Sequence, residues 1–170
     1  MITIRDYQER DATRVGCLIA VTYSEFNLAF ASLEQLAAFL GPFRHAESTD
    51  PSHRKAIARV IRSEMVFVAE DESTIVGVLR GRKDRLASLF VRRDYHRRGI
   101  GRQLVERFEE ECRQRGSTVI RVASTVYAVL FYLAMGYKRS TSLRSGWSFE
   151  GRGLPVQPMR KALRTIDHPT

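Results

Sequence analysis

The chain has 170 residues, 44% hydrophobic and 28% charged, the make-up of one soluble globular domain with a full core, which excludes a disordered or fibrous chain. Its 28 Lys and Arg against 19 Asp and Glu give a net charge of +9, which favours anionic partners: nucleic acid, an acidic protein or a polyphosphate cofactor. The longest uncharged run, residues 122–137, is 16 residues long, short of the roughly 20 that span a bilayer, so no membrane partner is expected.

In chain order, Ile2-Thr3-Ile4-Arg5 alternates like a half-buried strand, and with the charges of MITIRDYQERD no secretory leader is expected. Asp11 caps a helix expected to run to about Phe30, with Val15, Leu18, Ile19, Thr22 and Phe26 on one face. Ser32 and Gln35 form a capping box for a helix that Gly41-Pro42 ends. Residues 43–49 read as loop, and Asp50-Pro51 opens a third helix buried through Ile57, Val60 and Ile61. Residues 65–70 and 73–80 are β-rich runs joined by a tight turn at Asp71-Glu72. A charged turn, 82–85, then leads to a strand over 86–91. The central helix, 100–115, buries Ile100, Leu104, Val105, Phe108 and Cys112. A strand at 118–123, a short buried helix at 127–135 and two strands within 137–163 follow. The last strand, about 156–162, is expected after a turn at Gly151-Arg152-Gly153, and a tail from Thr165 is expected to fray. Cys17 and Cys112 both fall in helical patterns, so neither a metal cluster nor a disulfide is expected and a reducing cytoplasm fits.

This order predicts an α/β (α+β) fold: a mixed, mainly antiparallel sheet of about six to seven strands flanked by helices. A single domain is expected over 1–170, with its core at about 2–163 and a short tail at 164–170. The most informative stretch is the basic loop after the strand at 86–91. There Gly99 and Gly101 sit at the start of the central helix, flanked by Arg97, Arg98 and Arg102. The first amides of a helix have no partner within it and lie at its positive end, so such a loop forms an anion cradle suited to a pyrophosphate. Arg92 and Arg93 extend the same positive cluster.

His96-Arg97-Arg98-Gly99-Ile100-Gly101, between a strand and a helix, resembles the main signature of the GNAT superfamily of N-acetyltransferases. It differs at its first position, where His96 stands. About 30 residues on, Thr125, Ala128, Tyr132, Gly136 and Tyr137 fall on the spacing of that family's second signature, with Thr125 in place of an asparagine. The resemblance implies a GNAT-like fold and transfer of an acetyl group from acetyl-CoA directly to a primary amine, with no metal. It implies that residues 97–102 hold the CoA pyrophosphate, with His96, Arg97, Arg98, Gly99, Ile100, Gly101 and Arg102 as contacts. It also implies that the backbone of Leu89, Phe90 and Val91 pairs with the pantetheine arm. Thr125 and Ala128 would adjoin that arm, although the substitution at Thr125 puts the usual amide contact in doubt.

Tyr132 is the expected general acid, with Tyr127 its rival. A phenol of pKa about 10 hands a proton to a thiolate of pKa about 8.5 only uphill, so hydrogen bonding to developing charge describes the role better. The base is less legible. Glu70 acting through water is one candidate, and Glu25, His45 and His53 lie where the substrate side is shaped. If Arg80, Arg82 and Arg85 line the acceptor groove, the acceptor carries a carboxylate or phosphate. Trp147 is expected simply to pack. The acceptor itself, from a small molecule to a protein, is left open, as is a homodimer. The alternatives are a non-catalytic acyl-CoA-binding regulatory module and, less favoured, a basic nucleic-acid-binding domain.

Overall fold

In a computed structural model, which describes residues 1–164, the short apolar runs pair into one eight-stranded sheet. The strands are β1 (Ile2–Asp6), β2 (Met65–Asp71), β3 (Thr74–Arg82), β4 (Arg85–Val91), β5 (Val119–Thr125), β6 (Lys138–Arg139), β7 (Arg144–Ser148) and β8 (Gly151–Ala162). Their order is β1-β2-β3-β4-β5-β8-β6, with β7 also paired to β8. All pairs are antiparallel except β4 with β5. The count exceeds the expected one because residues 138–148 form two short strands rather than one.

The helices are α1 (Ala12–Thr22), α2 (Leu33–Leu40), α3 (Pro51–Ile61), α4 (Ile100–Gln114) and α5 (Val129–Ala134). One core cluster lies beneath α4 and α5 and joins Leu86, Leu104, Phe108, Ile120, Val122 and Met159. The other lies beneath α1 to α3 and joins Val15, Ile19, Phe43, Ile57, Val78 and Val156. The α4 face read from the sequence is the buried one, with Ile100, Leu104, Val105, Phe108 and Cys112 all inaccessible or nearly so. The α2 capping box forms as expected: Gln35 N donates to Ser32 Oγ at 3.2 Å and Ser32 N to Gln35 Oε1 at 3.0 Å. Asp50 caps α3 through Ser52 N at 2.8 Å, with Pro51 in the first position.

Three sequence expectations are corrected. The first helix does not run regularly to Phe30; α1 gives way to a π-helical turn, Tyr23–Asn27. Thr22 Oγ1 and Ser24 Oγ donate to the carbonyls of Leu18 and Ala20, at 2.7 and 2.6 Å, and such side-chain bonds compete with the helical ladder and loosen it. Residues 41–45, which overlap the start of the loop expected at 43–49, form a 3-10 turn. The last hairpin reverses at Phe149-Glu150 rather than at 151–153, because β8 already pairs from Gly151. Gly153 (φ +83°) is the extra residue of a bulge there. The expected fraying from Thr165 lies outside the described residues.

Candidate active site

β4 and β5 pair only at Arg85–Arg121 and Leu86–Val122 and then diverge. Beyond that point residues 87–91 of β4 present a backbone edge that β5 does not cover. A bulge between Arg80 and Gly81 in the β3–β4 register turns this edge further. Two adjoining cavities occupy the gap, of about 600 Å³ and 330 Å³, and share Asn27, Leu89, Phe90, Ala128 and Tyr132 as wall.

The larger cavity leads to the basic loop. Arg97 (φ +62°) and Gly99 (φ +77°) take left-handed backbone conformations on either side of Arg98, which turns successive amides toward one side as in an anion nest. The amides of residues 97–102 have no hydrogen-bond partner among the described residues, and Gly99 as N-cap offers no side-chain acceptor. A Cβ at Gly99 would meet nothing within 4 Å, so the space above the amides is open. At Gly101 the need is different: a Cβ would lie 3.2 Å from the Phe131 ring, so this glycine lets α4 pack against α5. These features fit a pyrophosphate.

Leu89, Phe90, Val91, His96, Arg97, Gly99, Ile100, Gly101, Arg102 and Ala128 all line the larger cavity, and Thr125 lines the smaller. Arg98 lines neither; its guanidinium lies over the Tyr95 ring at 4.7 Å. His96 braces the loop, with Nε2–H donating to the Val91 carbonyl at 2.7 Å, since a carbonyl can only accept. Arg92 and Arg93 are already engaged, Arg92 by Asp94 at 2.5 Å and Arg93 by Glu25 at 2.7 Å.

Tyr132 is 4% exposed, held edge-on between Phe131 and Tyr137 at ring distances of 5.2 and 5.5 Å, and forms wall in both cavities. Burial pushes its phenol well above the usual value, so it keeps its proton at neutral pH. Tyr127 is more than half exposed and stacks on Phe26 at 5.3 Å.

The expected base, Glu70, is placed away from the gap. Glu70 lines neither cavity; its carboxylate accepts from Arg5 Nε at 2.5 Å, and the same guanidinium holds the buried Asp11 at 2.8 Å. Glu25 is tied to Arg93, while His45 and His53 stack on each other at 3.9 Å, away from the gap. Among the described residues the wall of the smaller cavity contains no carboxylate and no imidazole. Arg80 and Arg85 line it and Arg82 does not. Arg80 caps α3 by donating to the Val60 and Ile61 carbonyls at 2.6 and 3.0 Å and reaches Ser88 Oγ at 3.3 Å. Burial, with no carboxylate to offset it, draws its pKa below the ordinary arginine value. Trp147, expected to pack, is 64% exposed at the rim beneath Arg152.

Sequence reading missed Asn27 and Tyr23, both on the π turn. Asn27 Nδ2 donates to Thr125 Oγ1 at 2.6 Å, so a side-chain amide stands beside the position where the second signature departs from pattern. Ser148 Oγ donates to the Phe39 carbonyl at 2.8 Å. The 2.6 Å contact between Tyr23 and Ser148 is therefore donated by Tyr23, whose oxygen remains an acceptor at the cavity wall.

A divided parallel pair, an amide-lined loop at a helix start and a buried phenol between two cavities define an acyltransferase fold. Residues 31–163 match the Acetyltransferase (GNAT) domain family, and the chain belongs to it, an acyltransferase that draws on acetyl-CoA. Among solved structures it is similar to a GCN5-related N-acetyltransferase from Rhodopseudomonas palustris, at 22% identity over 95% of each chain and a TM-score of 0.76. It is also similar to the PaiA N-acetyltransferase of Thermoplasma acidophilum, solved with coenzyme A, at 18% identity over 96% of this chain and 99% of that one, TM-score 0.72. A third likeness is to the ribosomal-protein-S18-alanine N-acetyltransferase of Escherichia coli, at 16% identity over 100% of both chains, TM-score 0.60. No curated protein matches the sequence. No helix among the described residues is long and apolar enough to cross a membrane.

Proposed function

We propose that this chain transfers an acetyl group from acetyl-CoA directly to the primary amine of an acceptor, with both substrates bound at once. The observation that carries this reading is the gap between β4 and β5, which joins the amide-lined loop to a second cavity with Tyr132 at the junction. Acetyl-CoA supplies an already activated thioester, so proximity and orientation provide most of the acceleration. The amides of residues 97–102, with Arg97 and Arg102, hold the pyrophosphate, and the uncovered edge of β4 at 89–91 accepts the pantetheine amides as an added strand would. Asn27 and Thr125 wall the arm where it turns toward the smaller cavity.

The Tyr132 hydroxyl donates a hydrogen bond to sulfur as negative charge grows there. Tyr23 offers its oxygen to the incoming amine. Among the described residues no carboxylate or imidazole lines the acceptor side, so the amine arrives neutral or gives its proton to water. No cysteine lines either cavity, which argues against an acetylated enzyme thiol.

Thermal melting with acetyl-CoA, followed by release of free thiol across a panel of amines, tests the reading. At a hundredfold excess over Kd the ligand adds about 2.7 kcal/mol, or roughly 5–10 °C in a domain of this size. No shift at millimolar acetyl-CoA refutes it. Binding without turnover on any amine favours the non-catalytic module instead.

A further inference from the structure

The sheet register brings together basic residues that are far apart in sequence. Arg82 pairs with Arg85, Arg85 with Arg121, Arg121 with Arg160, and Arg160 with Lys138. Directly paired residues project from the same face of a sheet, so these five cations form one row across β3, β4, β5, β8 and β6. Four inter-strand steps of about 4.8 Å give a row roughly 19 Å long. Their neighbours Leu86, Val122 and Met159 point into the core beneath α4, so the row stands on the opposite face. Arg82, Arg121, Arg160 and Lys138 are exposed and Arg85 is half-buried. None of the five makes an ion pair or a side-chain hydrogen bond among the described residues. Elsewhere the chain pairs its arginines freely, as at Arg107 and Arg113 on α4 and Arg115 at its C-cap.

Like charges directly opposite one another weaken a sheet, and here four such pairs run in series without a counter-charge among the described residues. The row also has a fixed relation to the acceptor cavity, because Arg85 belongs to both. Arg80, half-buried and paired with no carboxylate among the described residues, adds positive charge to the same wall.

The geometry points to an acidic polypeptide as the acceptor: its amine enters the smaller cavity, and the carboxylates that follow it lie along the Arg85–Arg121–Arg160–Lys138 row. This inference rests on the amine-acetylating reading above and adds the acceptor class. At about 3.3 Å per extended residue, about four to five residues cover the stretch from Arg85 to Lys138, and about six cover the full row from Arg82. A polypeptide fits better than a nucleic acid because it offers an alkyl amine, at its terminus or on lysine. The exocyclic amines of bases are conjugated into the ring and are poor nucleophiles. Polycationic amines are disfavoured, since they meet two arginines and no acid at the cavity wall.

The test uses the full chain and a peptide with a free amino terminus followed by six glutamates, together with its glutamine counterpart. The readouts are kcat/KM by thiol release and, independently of transfer, fluorescence anisotropy of the same labelled peptides with the terminus blocked. The glutamate peptide is expected to lead by about tenfold or more in both readouts and to lose that lead as salt rises. Arg121→Glu with Arg160→Glu, both exposed positions, is expected to erase or invert the order while the melting shift with acetyl-CoA stays. The milder Arg121→Gln with Arg160→Gln reduces it. Equal binding of the two peptides, or an order unchanged in both double variants, overturns the inference. A uridylate oligomer bound more tightly than the glutamate peptide, and released by the same variants, overturns it in favour of a nucleic-acid surface. Glutamate-peptide binding without transfer to any amine leaves the docking strip standing while the acetylating reading falls.

Discussion

Tyr132→Phe separates catalysis from folding in a single substitution. The ring sits edge-on to Phe131 and Tyr137, and both contacts survive in phenylalanine. Its hydroxyl makes no hydrogen bond among the described residues, so removing it strands no partner and leaves the core volume nearly unchanged. The expected change in stability is therefore within about 0.5 kcal/mol, or about 1–2 °C in Tm. The catalytic effect is larger. A hydrogen bond to a charged acceptor is worth about 1.5–3 kcal/mol, which predicts a fall in kcat of about 10- to 150-fold. Since the bond forms only as charge develops on sulfur, the acetyl-CoA melting shift stays constant. Thiol-release kinetics at saturating acetyl-CoA, beside melting curves with and without it, measure both. A kcat within twofold of the unmodified protein refutes the role, and a loss of several degrees in Tm assigns the hydroxyl to structure instead.

Gly99→Val forces a β-branched residue to φ +77° and places bulk over the open amides, so the melting shift with acetyl-CoA disappears and Tm itself falls by about 2–8 °C. Because no carboxylate or imidazole among the described residues lines the acceptor cavity, kcat/KM rises about tenfold per pH unit toward the pKa of the amine itself, and a plateau reached near pH 6–7 in the pH profile contradicts this. Asp11 is fully buried; burial opposes its charge, but bonds from Arg5 and Gln8 and the charges of Arg5 and Arg14 outweigh burial and hold its carboxyl below the usual range. Its contribution is thus complete above an unfolded-state pKa of about 3.9 and fades as pH falls through the lower folded value. Asp11→Asn costs about 2–3 kcal/mol at pH 7, moderated by solvent at the half-exposed Arg14, and urea titrations show the gap to the unmodified protein closing in acid.

What the sequence disclosed is what local physics governs. The 3.6-residue spacing of Ile100, Leu104, Val105, Phe108 and Cys112 fixes the face of α4 that is buried. The two glycines mark the loop, although only Gly99 answers to an open site and Gly101 answers to Phe131. Cross-strand partnership was not legible. Glu70 reads as a free carboxylate until β1 lays Arg5 beside β2. The basic row is invisible in one dimension, because Arg85, Arg121, Arg160 and Lys138 meet only through the pairings of β4 with β5 and of β8 with β5 and β6. The π turn at Tyr23–Asn27 also escaped, since it depends on hydroxyls bonding backward to carbonyls within an otherwise regular helical pattern.

The wall common to the two cavities has a consequence for inhibition. Asn27, Leu89, Phe90, Ala128 and Tyr132 line both cavities, so on the proposed reading the two binding events are separated by little more than a side chain's thickness. A single molecule that joins a CoA-like arm to an acidic peptide through a short link spans them without a detour. Once its first half is seated, the second is presented at an effective concentration in the millimolar range or above. The length of that link becomes a ruler: affinity peaks where it matches the span past Tyr132 and falls on either side.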